Sequence, residues 1–258
     1  MARVAWIHST PVKGLALASL EEAELSTDGL VGNRRFYLVT GEGRLANGKL
    51  HGPLQTVVPA YDPAADTLEL RFPDGETVSG AVTIGASVVT DFFGRPVGGR
   101  EVVGPWSAAL SGFAGLPLRL VRTDEAGAGL DRGRQAGVSL LSRASLARLG
   151  EELGLDVPLD PRRFRMTIGI EGVGPHEEDG WLGREVAVGG AVVVPHGNVG
   201  RCAVTRQDPA TGRPDVDTLG GLTSYRGVIE TTEPLPFGVW GEVVRPGMVR
   251  VGDPVSVP

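Results

Sequence analysis

Glycine and proline interrupt this chain so regularly that little room is left for long helices. It has 39 glycines and 19 prolines in 258 residues, spread along its whole length. Between them lie short apolar or alternating runs of strand length, the pattern of many short strands joined by turns. Residues 3–8, 20–25, 34–40, 54–60, 67–72 and 76–79 read as strands, with P-D-G at 73–75 as a hairpin turn and further short strands over 81–103. The pattern continues at 118–121, 164–170, 185–194, 202–206 and 248–256. Two helices stand out. Pro105 to Leu116 repeats apolar residues at Trp106, Leu110 and Phe113. Ser142 to Leu153 has Ser142 as N-cap, Leu146, Leu149 and Leu153 on one face, and Gly154 as its stop. The Arg-, Gly- and Asp-rich segment 122–137 reads as a mobile loop. The expectation is a mainly β (α+β) chain in two parts, 1–117 and 118–258.

Charge and cysteine content remove several functions. A net charge of −6 argues against nonspecific nucleic-acid binding, which needs a basic face, though it permits a local basic pocket. The first 14 residues lack the basic-then-apolar pattern of a signal peptide, and no run elsewhere approaches the roughly 18 apolar residues of a membrane span. The expected location is therefore the cytoplasm, without membrane attachment. A single cysteine forbids an internal disulfide, a Cys-rich zinc site or an iron–sulfur cluster.

That cysteine, Cys202, lies in P-H-G-N-V-G-R-C-A-V-T-R-Q-D-P-A-T-G. Arg201 is adjacent, and Gly197 and Gly200 keep the backbone open. Cationic neighbours favour a thiolate, which is a soft metal ligand. A lone cysteine followed by Ala-Val is also a common small core residue. The basic residues form a second set: Lys13 beside Gly14, Arg34 and Arg35 before F-Y-L-V, and Arg162, Arg163 and Arg165 around Phe164. In a strand, Arg163 and Arg165 share one face. Such clusters suit a phosphate, which guanidinium forks grip in bidentate fashion, although a single arginine more often sits on a solvated face. The four histidines show no i, i+4 metal spacing, and H-E-E-D at 176–179 reads as a solvated loop.

The ordered set of segments resembles the MOSC family, the molybdenum cofactor sulfurase C-terminal domain proteins, and within it the two-part subgroup related to amidoxime-reducing components. I-H-S-T-P-V-K-G at 7–14 and G-L-V-G-N-R-R-F-Y-L-V at 29–39 are similar to the N-terminal part. R-F-R-x-x-I at 163–168, E-E-D-G-W at 177–181, R-C-A-V-T-R-Q-D-P-A-T-G at 201–212, T-L-x-x-L-x-S-Y-R at 218–226 and V-G-D-P-V at 251–255 are similar to the C-terminal part. The resemblance implies an N-terminal β-barrel-like domain over 1–117 and a C-terminal MOSC β-barrel with a few short helices over 118–258.

It also implies a molybdenum–pyranopterin cofactor with Cys202 as the catalytic sulfur ligand to the metal. Lys13, Arg35 and Arg165 fall on motif positions that hold the cofactor's phosphate and pterin, and Arg201 and Thr167 are further cofactor-binding candidates. Asp208, Pro209, Thr211 and Gly212 would shape the loop after the ligand. The sequence departs from the family pattern at Met166–Thr167, at Arg143, and at Arg134–Gln135–Ala136. These changes bear on the pterin side and leave the metal ligand in place. The implied activity is reduction of small N-oxygenated compounds with electrons from a separate protein. The alternative is a non-catalytic carrier of the cofactor or of sulfur.

Overall fold

The computed structural model describes residues 1–46, 48–124, 130, 132–231 and 233–257. Much of the expected loop at 122–137, residues 125–129 and 131, lies outside the described residues, as does the side chain of Arg134. The first half contains β1 (Arg3–Ser9), β2 (Ala18–Leu20), β3 (Glu22–Ser26), β4 (Gly29–Leu30), β5 (Phe36–Thr40), β6 (Val58–Asp62), β7 (Thr67–Arg71), β8 (Thr77–Ala81), β9 (Thr83–Phe92), β10 (Arg95–Val103), helix α1 (Trp106–Ala114) and β11 (Leu118–Thr123). The second contains β12 (Val138–Ser142), α2 (Arg143–Glu152), β13 (Ile168–Glu171), β14 (Val186–Val188), β15 (Ala191–Gly200), α3 (Thr218–Arg226), β16 (Pro236–Arg245), β17 (Gly247–Arg250) and β18 (Val255–Ser256). The fold is mainly β, as the sequence pattern predicts.

The expected barrels are not closed by strand pairing. The largest sheet has the open order β18-β14-β15-β16-β12-β13-β1-β2. Its ends approach through one isolated bridge, Arg3 to Pro254, and through backbone bonds such as Val4 N to Asp253 O (2.9 Å) and Val255 N to Ala2 O (3.0 Å). Three register shifts between β15 and β16 bend this sheet. A second sheet has the order β5-β11-β10-β9. Strand β11 thus carries the first half's sheet past the expected boundary at 117, because Leu118–Arg122 pair with Phe36–Thr40. Conversely, β1 pairs with β13 in the second half's sheet.

Four apolar clusters follow from this arrangement, the two largest one in each half. Val4, Ile7, Leu140, Ile168, Ile170, Val193 and Val239 pack inside the large sheet. Val12, Leu15, Phe36, Leu38, Leu68, Leu70, Leu110 and Leu120 pack under α1. Trp106, fully buried, anchors α1 and donates its indole N–H to the Leu68 carbonyl (3.1 Å). Helix α2 is built as read: the Ser142 hydroxyl accepts from Ser145 N (2.9 Å), Leu146 and Leu149 are buried, and Gly154 leaves the helix at φ 64°. Helix α3 was not signalled by its sequence, since two central glycines lower helix propensity. Gly221 has a use there: a Cβ on it would press on Leu153 at 2.8 Å, so the glycine lets α3 lie close to α2.

Candidate functional site

A cleft of about 360 Å³ opens between the two halves, and Cys202 lines it. Strand β15 ends at Gly200, whose N–H donates to the Glu233 carboxylate (3.0 Å). Cys202 follows in extended backbone (φ −130°, ψ 176°) and caps a 3-10 turn over Ala203–Arg206. The strand expected at 202–206 is therefore a turn. Ala-Val-Thr favours a strand by propensity, but the Cys202 carbonyl accepts from both the N–H and the hydroxyl of Thr205, at 3.1 Å each, a local bond that competes with a ladder.

The segment after the turn fastens Cys202 to the first half. Within D-P-A-T-G, the Asp208 carbonyl accepts from Thr211 N (3.2 Å) and Gly212 N (2.7 Å). Gly212 has φ 68° and packs on Gly52; a Cβ on either would overlap the other's backbone. Gln207 donates to the Gly48 carbonyl (2.8 Å) and accepts from Gln55.

The cleft is strongly cationic although the chain is acidic. Lys13, Arg34, Lys49, Arg132, Arg165 and Arg201 line it, against one carboxylate among the described residues, that of Glu233. Arg132 grips Glu233 through two bonds of 2.7 Å. Burial works to raise the Glu233 carboxyl, but these bonds outweigh it and hold the group below the ordinary carboxylate range. Arg165 and Arg34 both have left-handed backbone, φ 53° and 52°. Arg165 donates to the Leu15 carbonyl (2.7 Å), and Arg34 donates to the Arg165 carbonyl (3.3 Å).

The six residues proposed from sequence separate into three groups. Cys202, Lys13 and Arg165 line the cleft together. Thr167 and Arg201 line it too, but with their polar groups engaged in the wall. Thr167 donates to the Ser139 carbonyl (2.9 Å) and accepts from Ser139 N (2.7 Å). The Arg201 guanidinium donates to the carbonyls of Phe164 (2.8 Å) and Phe237 (3.0 Å) and to the Met166 sulfur (3.0 Å), beside the paired Phe164 and Phe237 rings. Burial lowers its pKa to about 9, so it stays charged at neutral pH. Arg35 is not among the lining residues; its neighbour Arg34 takes that place.

Two further readings change. Arg163 and Arg165 do not share a face: Pro161–Phe164 is a 3-10 turn, and Arg163 turns away to grip Asp215 through bonds of 2.6 and 2.5 Å. Nor is the acidic run at 176–179 a solvated loop. Glu178 is fully buried, accepting from Ser142 N (3.1 Å) and the Ser145 hydroxyl (2.9 Å), and burial raises its pKa. Asp179 accepts from Arg226 (2.6 Å) and Asn198 (2.8 Å). Lys49 and Arg132 went unread because they lie in glycine-rich segments without periodicity.

The donor set suits an anionic group with a soft ligand beside it. One thiol offers one soft ligand, and the surplus of cations offers charge for phosphate. The Trp240 indole lines the same cleft, and its buried N–H meets no acceptor among the described residues. Among the described residues, no three His, Cys, Asp or Glu side chains gather to hold a metal. The site thus defines a mainly β protein with a cationic, single-thiol cleft between two halves.

More particularly, the chain belongs to the MOSC domain family. The MOSC domain matches residues 128–256, and the MOSC N-terminal beta barrel domain matches residues 1–96. It is similar to the mitochondrial amidoxime reducing component 2 of Bos taurus, at 29% identity over 97% of this chain and 81% of that protein. It is also similar to the mitochondrial amidoxime-reducing component 1 of Homo sapiens, at 29% identity over 97% and 80%. Similarity to the molybdenum cofactor sulfurase of Danio rerio is 26% over 84% of this chain and 29% of that longer protein. Among the described residues, no helix is long and apolar enough to cross a membrane.

Proposed function

We propose that the chain binds a molybdenum–pyranopterin cofactor in this cleft, with Cys202 as sulfur ligand, and reduces N-hydroxylated compounds using electrons from a separate protein. The observation that carries the reading is one thiol beside a surplus of cations drawn from both halves of the chain. The names of the relatives support the substrate class. Lys13, Arg34 and Arg165 would neutralise the phosphate and pterin end. Arg201 and Thr167 would act from behind, fixing the wall against which the group rests. The bound cofactor would supply the two-electron chemistry, while the protein positions and tunes it. Glu233, held ionised by Arg132, keeps the Gly200 N–H and thus the approach to Cys202 in place.

The similarity to a cofactor sulfurase favours a second reading, in which the chain carries the cofactor or sulfur without turnover. Both are tested by expressing wild type and Cys202→Ala in a host that makes the cofactor, then measuring molybdenum and amidoxime reduction by a reduced viologen. The enzyme reading expects near-stoichiometric metal and turnover in the wild type and loss of both in the variant. Metal without turnover, with transfer to an apo-acceptor, supports the carrier. A wild type without molybdenum overturns the enzyme and the cofactor carrier alike.

A further inference from the structure

Two neighbouring phenylalanines at the β9–β10 turn have opposite surroundings. Phe92 is 1% exposed and packs edge-on against Tyr37, with ring centroids 5.0 Å apart. Phe93 is 66% exposed, yet it lines the cleft that holds Cys202. Its backbone is also strained. Phe92 pairs with Arg95, so Phe93 and Gly94 form a two-residue hairpin loop, with φ 56° and 91°. Positive φ at both positions is the pattern of a type I′ turn, where asparagine or glycine at the first position avoids the penalty that a bulky side chain incurs. The turn is secured without the ring, because Gly94 N donates to the Asp91 carboxylate (3.0 Å). The phenyl group is therefore required neither by the core nor by the hairpin, and it sits at a position that disfavours it. Such strain gathers where a side chain serves a ligand.

The ring has one charged neighbour. The Lys49 ammonium lies 5.8 Å from its centroid, over the ring, and Lys49 also lines the cleft. A cation over a ring is weakly attracted to its face, and the exposed Phe93 presents an aromatic surface to the cleft.

We propose that Phe93 is a substrate-contacting specificity residue, whose exposed ring stacks on planar, π-faced N-hydroxylated compounds and selects them over aliphatic ones. The inference rests on the reductase reading, since it takes the cleft as the substrate's entry. An aromatic amidoxime would lay its ring against Phe93 while its N–O group reaches inward toward Cys202. A short aliphatic amidoxime would reach the same depth without that contact. Ring–ring contacts add enough that removal of the phenyl should weaken an aromatic ligand by about 2- to 10-fold.

The test measures binding and turnover of benzamidoxime and acetamidoxime on the cofactor-loaded chain. Titration calorimetry gives Kd, and reduced-viologen assays give kcat/KM, for wild type, Phe93→Ala, Phe93→Asn and Phe93→Trp. Phe93→Ala and Phe93→Asn should weaken benzamidoxime by about 2- to 10-fold and leave acetamidoxime unchanged, while Phe93→Trp retains the preference. Phe93→Asn should also melt higher than wild type, because it relieves the left-handed strain; that shows the fold is intact. Equal weakening of both ligands, or no change in either, overturns the inference. Discriminating binding without reduction of either compound defeats the reductase reading and leaves the ring's selective role standing. Reduction of both compounds with no effect of the Phe93 variants defeats the inference alone, and a wild type that binds neither compound also overturns it.

Discussion

Replacing Arg201 with lysine separates a structural role from a cofactor role. The guanidinium reaches two backbone carbonyls and one sulfur from a planar fork that lies against the Phe164 and Phe237 rings. An ammonium on a single stem can satisfy one of those carbonyls and stacks poorly. The lost bonds are charge-assisted, at about 1.5–3 kcal/mol each, and one buried carbonyl is left without a donor. With Arg201 half-buried as a residue, the low end of the range applies, for a total of about 3 kcal/mol. For a chain of this size that lowers Tm by about 6–12 °C. Differential scanning calorimetry of the metal-free chain measures this directly, and molybdenum content of material loaded well below Tm measures retention. Arg201→Lys should show a large fall in Tm with near-normal metal. An unchanged Tm with lost metal would refute it and make Arg201 a direct ligand of the cofactor.

Three further outcomes are expected. Arg34→Gln should weaken cofactor retention by about 10-fold or more, the worth of one charged hydrogen bond, while Arg35→Gln leaves it unchanged; size-exclusion chromatography followed by metal analysis separates the two. Gly212→Ala forces a side chain at φ 68° into the Gly52 backbone, so it should cost about 2–4 kcal/mol in chemical denaturation and shed metal as Cys202's loop comes loose. His8 is buried, and burial lowers its pKa from 6.5 to about 4, with Asp160 opposing the shift and Arg162 adding to it. The unfolded state thus takes up the proton first, and stability falls as pH drops from 6.5 toward 4. His8→Phe should flatten that fall in a pH series of denaturation midpoints; an unchanged slope would assign the acid sensitivity to other groups.

How much could be read from sequence depended on whether a residue's neighbours are near it in the chain. Helix α2 was legible because its cap, apolar face and stop all lie within Ser142–Gly154. The P-D-G hairpin was legible for the same reason. Glu178 and Asp179 were not, because charged residues default to the surface and their partners, Ser142, Asn198 and Arg226, are scattered over the second half. The choice between Arg34 and Arg35 turned on a left-handed backbone at Arg34, which breaks strand alternation and leaves no mark in composition. Arg163 and Arg165 were misread together because the alternation rule presumes a strand where the chain makes a 3-10 turn. Cys202 itself was legible as a special residue, but its attachment to the first half through Gln207, Gln55 and Gly52 was not.

The crossing of β1 into the second half's sheet has a consequence for biosynthesis. Arg3 pairs with Glu171 and Ile7 with Ile168, so β1 meets its β13 partner only after the long segment between them has been made. At about 5–20 residues per second, that wait is on the order of 10–30 s. Throughout it, the end of β1 from Ile7 to Ser9 can pair only with β2, and Val4 and Trp6 lack the strand they join in the folded chain. The nascent chain must therefore keep this segment from competing partners until β13 emerges, and a chaperone that grips short extended apolar segments would find its substrate there.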